Sequence, residues 1–423
     1  MKYRRNRRKF SLASLFLTAA LCLGGCSPAE SASEILNSAL GEISGIFGEI
    51  RGGEESGSGS AGEEEAESGE SDHSEEEPLE AESVSDGLYA YGTLDEAEQE
   101  VYDEILYALE NREESVLLAT TDTEVLETAY AAVRCDYCGL FWSDSYQYEL
   151  YSDPSGDPTR LYFQPIYTVT EEEQQEYQEQ IDAEAERMLE GISEDASDFD
   201  KVCYVYRVLV EETDYSLEAE NSQNIISTFI HHETVCQGYS YGAQYLLEKL
   251  GISCTTVAGT SQGESHSWNL VVMDGDYYYM DVTWGEVSYW NVSEEDSGEG
   301  SGGDSEDVNF SYLGVSDADT AFMEDHQAAE EIPMPDCTAT ADNYYVHENL
   351  YFAEWDLETV GSRIREVYDS GAGEICLKFG SDETYAQAYE SLITQGNWQR
   401  YCNSKQIAYV DQFAENVLRI EFQ

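Results

Sequence analysis

The spacing of apolar residues changes near residue 254, and this change constrains the fold more than any other feature of the chain. Before that point, apolar residues recur at helical spacing, as in Val101, Ile105 and Leu109. After it come three apolar and β-branched runs that are typical of strands: residues 254–259, 266–273 and 277–284. Helices followed by a sheet predict an α+β fold.

Local patterns predict most of the individual elements. Thr93 and Glu96 fit a capping box at the start of the first helix of the folded body. Further helices are predicted over residues 123–133, 171–189, 199–210 and 223–230, and tyrosine-rich strands over residues 146–151 and 160–168. The pair Asp274-Gly275 predicts a hairpin turn between the last two strands of the main sheet.

A smaller accessory domain is predicted over residues 331–423. A hairpin is expected around Glu348-Asn349, with strands at 344–347 and 350–353. Helices and strands are then expected over residues 357–368, 375–379, 384–393, 407–410 and 417–422. This alternation predicts a small α/β layer arrangement without an evident catalytic set.

Residues 1–25 have the pattern of a bacterial export signal. A basic start is followed by an apolar run from Phe10 to Leu23 that is too short to span a bilayer. The run ends in Leu-Gly-Gly before Cys26, which resembles the lipobox of bacterial lipoproteins, and the resemblance implies lipid attachment at Cys26. An ordinary cleaved signal or an uncleaved anchor fits the same pattern, so export is expected in every case. Lipid anchoring to the outer face of the cytoplasmic membrane is the favoured interpretation.

Residues 26–87 are predicted to be a disordered acidic tether. Positions 27–87 hold 18 acidic residues and one basic residue, Arg51, and the stretch from Gly52 onward consists mainly of Gly, Ser and Glu. A short amphipathic helix is predicted before it by Leu36, Leu40, Ile43 and Phe47. The folded body is therefore expected to comprise a catalytic domain, residues 88–330, and the accessory domain that follows it.

Acidic residues far outnumber basic ones in the chain as a whole. There are 88 Asp and Glu against 20 Lys and Arg, a net charge of −68, and six of the basic residues lie in the first ten positions. Such a surface repels polyphosphates and anionic lipid headgroups. The composition therefore excludes nucleic-acid partners and favours neutral or cationic substrates.

A thiol, an imidazole and a carboxylate occupy three short segments between residues 235 and 284. Cys236 lies at the predicted start of a helix that ends at Gly251, where free N–H groups and the helix dipole favour a thiolate and an oxyanion. His266 begins one predicted strand, and Asp281 lies on the strand that the hairpin pairs with it. The arrangement predicts a triad in which His266 shares the thiol proton and Asp281 orients the imidazole. Taken singly, each residue also has a structural interpretation, as a core thiol, a strand histidine or a turn carboxylate.

The residues around these three positions resemble the catalytic core of the transglutaminase-like superfamily. Members carry V-C-x-G-Y, then H-A-W-N, and then an aromatic strand that ends in D-x-T-W. The corresponding segments here are Val235–Tyr239, His266–Asn269 and Asp281–Trp284, with Ser267 in place of the usual Ala. The resemblance implies a papain-like cysteine-hydrolase core with the triad Cys236, His266 and Asp281.

The sequence leaves the oxyanion donor open. Papain-like enzymes often place a Gln about six residues before the Cys, and this chain has Ile230 there. Candidates for oxyanion stabilisation or substrate contact are Gln223, Gln237, Tyr239, Trp268 and Trp284, with Trp142 as a further upstream candidate. His231 and His232 are expected to shape the entrance to the site.

The other cysteines and the acidic residues predict no cofactor and no metal site. Cys135 and Cys138 have C-x-x-C spacing, but no second pair or nearby His completes a zinc site, so chance spacing is the favoured interpretation. Residues 292–307 form an acidic Gly/Ser stretch without the spacing of a dedicated calcium loop, and they are expected to be a surface insertion.

These observations predict a cell-surface enzyme that cleaves or transfers amide bonds of protein or wall peptides through a thioester on Cys236. Hydrolysis is slightly favoured over amine transfer, on the basis of exported bacterial relatives. The alternative is a non-catalytic peptide- or wall-binding module that keeps the same fold. The intact set of Cys236, His266 and Asp281 argues for the enzyme.

Overall fold

The computed structural model describes residues 4–8, 81, 87–286, 308–414 and 416–423, with the backbone alone at 4–8 and 411–414. Several predictions of the previous section lie outside these residues. They are the apolar leader with Cys26, the tether apart from residues 81 and 87, the amphipathic helix at 36–47 and the acidic insertion at 292–307.

An N-terminal layer packs three helices against a small antiparallel sheet. Its helices are α1 (Tyr89–Thr93), α2 (Glu96–Glu110) and α3 (Thr123–Asp136). Its strands are β1 (Arg4–Arg8), β2 (Val116–Leu117), β3 (Ser143–Ser152) and β4 (Pro158–Tyr167), in the order β1-β3-β4-β2. Buried residues of the two long helices and the sheet, such as Ile105, Tyr130 and Phe163, form one core.

The predicted capping box is wrong by two residues. The side chain of Asp95 accepts from the backbone N–H groups of Ala97 and Glu98, and the Glu98 carboxylate accepts from the N–H of Asp95. Thr93 instead ends α1 and donates its hydroxyl to the carbonyl of Ala90. Both pairs fit the same pattern, and the structure uses the second.

The middle of the chain supplies the main helices and the main sheet. The helices are α4 (Glu171–Met188), α5 (Asp198–Glu212) and α6 (Cys236–Lys249). A short parallel pair, β5 (Asp214–Tyr215) and β6 (Glu233–Thr234), precedes α6. The sheet strands are β7 (Cys254–Ser261), β8 (Glu264–Met273), β9 (Asp276–Met280), β10 (Leu313–Val315) and β11 (His326–Ala328), and α7 (Thr320–Asp325) leads into β11. Their order is β10-β9-β8-β7-β11, with antiparallel neighbours.

Strand alternation sorts the side chains of β8 onto two faces. Asn269 faces α6 and donates to the carbonyl oxygen of Ser240 at 2.9 Å. His266 and Trp268 alternate with it and therefore lie on the opposite face. The Asp274-Gly275 turn joins β8 to β9 as predicted, with positive φ at both residues (51° and 90°).

The helix predicted over 223–230 is helical from Ile225 onward and wrong only at its first two residues. Asn221 has a positive φ of 56°, and the side chain of Asn224 accepts from the N–H of Ile226, so the backbone turns there. A helical turn of π type follows at Ser227–His231. The segment thus leads the chain into β6 and the start of α6.

The C-terminal elements form a second, smaller sheet covered by helices. They are α8 (Tyr344–His347), β12 (Tyr351–Phe352), α9 (Leu357–Asp369), β13 (Glu374–Phe379), α10 (Asp382–Tyr389), β14 (Ile407–Ala414) and β15 (Val417–Phe422). The strand order is β12-β13-β15-β14. The hairpin predicted around Glu348-Asn349 is wrong, because Tyr344–His347 is helical and β12 pairs in parallel with β13.

Residues 331–343 pack against the main sheet rather than the C-terminal one. Cys337 is fully buried in a cluster with Trp268 and Tyr279, and its N–H donates to Asp317 at 2.8 Å.

Across the described residues, helices and sheets lie in separate layers, which confirms the α+β fold class. Within the described residues, no helix has the length and apolar character needed to cross a bilayer.

Candidate active site

Cys236 is the first residue of α6, and its thiol is partly exposed. The first intrahelical bond runs from the N–H of Tyr239 to the carbonyl of Val235 at 3.1 Å. The N–H groups of Cys236, Gln237 and Gly238 therefore lack a helical acceptor, and the N-cap residue Val235 offers no side-chain cap. This helix end favours an anion at Cys236.

Gly238 allows the first turn of α6 to lie against the preceding strand. A Cβ atom at this position would lie 1.8 Å from Oγ1 of Thr234, a distance that no real contact allows. The Thr234 hydroxyl donates to the carbonyl of Ser222 at 3.0 Å and lies 2.6 Å from the hydroxyl of Ser227. The glycine of the V-C-x-G-Y segment thus has a local packing reason.

His266 on β8 and Asp281 just after β9 form the closest polar contact of the site. Nε2 of His266 lies 2.6 Å from Oδ2 of Asp281, and the two side chains are 6% and 0% exposed. Cys236 also lies close enough to the His266 imidazole to help raise its pKa. Since Nε2 is engaged by Asp281, Nδ1 is the nitrogen that remains for the thiol. The structure therefore brings the three predicted triad residues together.

Asp281 and His266 each shift the pKa of the other away from its ordinary value. Burial is the largest influence on Asp281 and raises its pKa, but the charges and N–H groups of His266 and His326 outweigh it and hold the pKa well below its ordinary value. Burial likewise lowers the pKa of His266, but Asp281 and then Cys236 outweigh it and raise that pKa to about 10. At neutral pH His266 is therefore protonated and pairs with the ionised carboxylate of Asp281.

His326 is part of the site and was not predicted from the sequence. Its Nε2 lies 3.0 Å from Oδ2 of Asp281, the same oxygen that His266 contacts. Oδ1 accepts the backbone N–H of Trp284 at 3.1 Å. Asp281 thus has a partner on each oxygen and two histidines on one of them.

Two tryptophans enclose this polar group. The Trp268 ring lies 6.0 Å from the His266 ring and 5.2 Å from the His326 ring. The Trp284 ring lies 6.2 Å and 5.2 Å from the same two rings. Both indoles are almost fully buried, so they shield the imidazole–carboxylate contacts from water.

The remaining predicted substrate and oxyanion residues lie in different environments. Tyr239 is fully buried and donates its hydroxyl to the carbonyl of Thr213, so it supports the core and does not face a substrate. Gln223 is exposed in the turn before the π-type segment. The amide of Gln237 donates to the hydroxyl of Tyr241 at 3.0 Å. Trp142 donates its Nε1–H to Leu109, in the N-terminal layer.

Backbone groups are therefore the best oxyanion donors that the described residues offer. The N–H groups of Cys236 and Gln237 lie at the uncapped end of α6, next to the thiol.

His231 and His232 precede β6 and are exposed and partly exposed, respectively. His232 lies 3.6 Å from Glu184 on α4.

A metal-binding geometry also exists at the base of the site. Nitrogen and oxygen atoms of His266, Asp281 and His326 all lie within 4.8 Å of one another, and among the described residues no other set of three His, Cys, Asp or Glu side chains does so. However, the contacts between these atoms already join them as donors and acceptors. We therefore interpret the set as a hydrogen-bonded group.

The other cysteines of the described residues form no disulfide with each other or with Cys236. Cys135 ends α3 and is buried, and burial raises its pKa to about 12. The thiol of Cys138 is buried too and lies 3.8 Å from a carboxylate oxygen of Glu248. Cys203 on α5 is partly exposed like Cys236, but burial raises its pKa to about 11 and no histidine contributes to that shift.

Comparisons with known proteins give fold-level likenesses only. No family model and no curated protein sequence match this chain. Similar solved structures include a TGase (transglutaminase), with 14% identity and a TM-score of 0.25, and a proposed cysteine protease from Cytophaga hutchinsonii, with 15% identity and a TM-score of 0.22. Menin, whose structure shows the binding site for the Mixed Lineage Leukemia (MLL) protein, has 14% identity and a TM-score of 0.23.

These likenesses are partial in both directions. The aligned parts cover 38%, 33% and 48% of this chain and 47%, 62% and 43% of the respective structures. The chain thus spans about half the length of the transglutaminase it resembles. Overlaps of this size assign no activity, and the function proposed below rests on the geometry of the site.

Proposed function

We propose that this protein is a thiol acyl-transfer enzyme in which Cys236 is the nucleophile, His266 the general acid and base, and Asp281 the residue that orients His266. One observation carries the proposal: the thiol at the uncapped start of α6 lies beside an imidazole whose Nε2 is held 2.6 Å from a fully buried carboxylate. A nucleophile, a base beside it and a third group that orients the base are the arrangement that covalent acyl transfer uses.

The proposed reaction has two stages. The Cys236 thiolate attacks the carbonyl carbon of an amide, and the backbone N–H groups of Cys236 and Gln237 stabilise the oxyanion. His266 donates its proton to the leaving nitrogen as the C–N bond breaks, which leaves a thioester on Cys236. Water or an amine then attacks the thioester and returns a proton to His266 as the thiolate leaves.

Hydrolysis of protein or wall peptides is the favoured outcome of the second stage, and transfer to an amine is the alternative. The transglutaminase-like motifs around Cys236, His266 and Asp281 support both. The net charge of −68 favours neutral or cationic substrates, because an anionic one would meet long-range repulsion.

We further propose that the protein is exported and lipid-anchored through Cys26, a processing step that would remove residues 1–25 and with them β1. The basic start, the short apolar run and the Leu-Gly-Gly-Cys sequence support this location. In a bacterial host, a Cys26→Ser variant of the full chain should move from the membrane fraction to the soluble fraction. Recovery of wild type and variant in the same fraction would contradict lipid anchoring.

Alkylation of the individual cysteines tests the chemistry without a known substrate. The full chain is treated with iodoacetamide between pH 5 and 9, and each cysteine is followed by peptide mass spectrometry in the wild type and in His266→Ala. We expect Cys236 to react well below the ordinary thiol pKa of about 8.5 and to lose this advantage in the variant.

Cys203 is the internal control, because it is also partly exposed but lies away from His266. Equal reactivity of Cys236 and Cys203 in the wild type would contradict the enzymatic proposal. The chain would then be better described as a binding module, and peptide- and wall-binding screens would come first.

A further inference from the structure

The carboxylate of Asp281 is held from two sides. His266 lies at 2.6 Å and His326 at 3.0 Å from the same oxygen, Oδ2, and the N–H of Trp284 lies at 3.1 Å from Oδ1. An ionised carboxylate can only accept hydrogen bonds. Nε2 of each histidine must therefore carry a hydrogen where it meets Asp281.

His326 reaches Asp281 from the far edge of the sheet. It is the first residue of β11, which pairs with β7, whereas His266 lies on β8. Gly259 on β7 makes this approach possible. A Cβ there would lie 2.2 Å from the carbonyl oxygen of Gln327 and 2.8 Å from the Trp268 ring.

The His326 ring is fixed in place by its surroundings. Its side chain is 1% exposed, and it stacks on Phe322 with ring centres 4.0 Å apart and planes within 9°. Trp268 and Trp284 meet it edge-on at 5.2 Å each. Its Nδ1 lies 3.2 Å from the carbonyl oxygen of Phe322. A donor held this rigidly can fix the orientation of the group that it contacts.

We propose that His326 is a positioning residue for the triad: it holds Oδ2 of Asp281 as a second donor beside His266 and thereby fixes the imidazole that activates Cys236. This inference rests on the proposed function and deepens it. Without the second donor, the buried carboxylate would keep His266 on Oδ2 and the Trp284 N–H on Oδ1, but its orientation, and with it that of the His266 ring, would be held less firmly. His326 touches neither the thiol nor a substrate and acts only through Asp281.

A pair of variants separates positioning from packing. His326→Phe keeps an aromatic ring against Phe322 and the two tryptophans but removes the donor. His326→Gln keeps an N–H donor but loses the ring. If His326 positions Asp281, the Phe variant should stay close to wild type in melting temperature, yet alkylate Cys236 about 10-fold more slowly. The Gln variant should melt lower but react within about threefold of the wild type.

A role in packing alone predicts the opposite order. Reactivity would then follow melting temperature, with the Gln variant slower than the Phe variant, and that result would overturn the inference. If the Phe variant does not fold, a comparison of His326→Met with His326→Gln tests the same point, because the two side chains are similar in length and only Gln donates a hydrogen bond. Equal Cys236 reactivity in Met and Gln would also overturn it.

Two controls complete the experiment in the full chain. Phe322→Leu weakens the packing on His326 and leaves its donor in place, so Cys236 should keep its wild-type reactivity despite a lower melting temperature. Stoichiometric zinc in the purified protein, with Cys236 reactivity that changes when EDTA removes it, would assign the three side chains to metal binding and overturn the inference. Failure of the proposed function gives a different result from failure of this inference, because Cys236 of the wild type would then already react like Cys203.

Discussion

Nε2 of His266 lies 2.6 Å from Oδ2 of Asp281, and neither side chain has appreciable access to water. A carboxylate in such a place is stable only with donors and positive charge around it. His266, His326 and the Trp284 N–H supply them. Asp281 is therefore the residue on which both the stability and the chemistry of the site depend.

The first prediction concerns the charge of Asp281. Asp281→Asn keeps the shape of the side chain but removes the charge that raises the pKa of His266. We expect Cys236 reactivity near neutral pH, and any peptidase or transfer activity found later, to fall by about 10²–10⁴-fold. Alkylation rates of Cys236 measure the change.

Asp276→Asn is the matched control for this prediction. Asp276 begins the same strand, β9, and is exposed, so its variant should behave like the wild type. If both variants leave Cys236 as reactive as before, Asp281 does not act on His266 through its charge.

The second prediction concerns pH and the stability contributed by His266. The pKa of this imidazole is about 10 in the folded protein, above its ordinary value of 6.5. A raised folded pKa contributes stability that is fully present below the unfolded value and is lost as pH rises through the folded one. The difference in unfolding free energy between wild type and His266→Gln should therefore shrink from pH 6 to pH 10.

Urea unfolding at several pH values checks this expectation. His231→Gln serves as the control because His231 is exposed, and its variant should follow the wild type throughout. A constant gap between wild type and His266→Gln across this range would show that the imidazole gains no proton affinity on folding.

The third prediction concerns Gly238 at the start of α6. A methyl group there would collide with Oγ1 of Thr234, which is held by Ser222 and Ser227. Gly238→Ala should therefore cost about 1–3 kcal/mol of unfolding free energy and displace the first turn that carries Cys236. Adding Thr234→Ala removes the colliding oxygen, so the double variant should lose less than the sum of the two single losses.

Gly139→Ala is the comparison for the Gly238 series. Nothing lies within 4 Å of a Cβ atom at Gly139, so its variant should stay within about 0.5 kcal/mol of the wild type. Strict additivity of Gly238→Ala and Thr234→Ala would mean that the predicted collision is relieved by other movements.

The triad could be predicted from the sequence because its members lie in segments with local signals. Cys236 opens a helix, and the Asp274-Gly275 turn pairs the strands of His266 and Asp281 by itself. His326 has no such signal. It reaches Asp281 only because β11 pairs with β7, a contact between strands that are distant in the sequence.

The errors in local structure arose where one residue pattern serves two structures. Asn349 has a positive φ of 55°, which suits a hairpin turn and equally the residue after a helix end. Here the N–H of Leu350 donates to the carbonyl of Tyr345 and closes the helix. Packing of the second sheet decides the outcome, and a short sequence window does not contain that information.

The fourth prediction concerns Glu104, a fully buried carboxylate in α2 and far from the site in sequence. Oε2 accepts the N–H of Ala119 at 2.9 Å, and Oε1 has no hydrogen-bond partner among the described residues. Burial is the main cause that raises its pKa to about 7, with Glu100 and Asp103 adding to the rise and the Ala119 N–H opposing it. At pH 8 the folded protein therefore holds a carboxylate that is ionised at a cost.

Because the folded pKa lies above the ordinary 4.5, the protein should lose stability as pH rises from about 4.5 through 7. The loss should be roughly 2–3 kcal/mol by pH 8. Glu104→Gln carries no charge, so it should be more stable than the wild type at pH 8 and lose that advantage near pH 5. Glu110→Gln, at an exposed position of the same helix, should show no such crossing in urea unfolding. An advantage of Glu104→Gln that is equal at pH 5 and pH 8 would mean that ionisation of Glu104 does not limit the stability of the N-terminal layer.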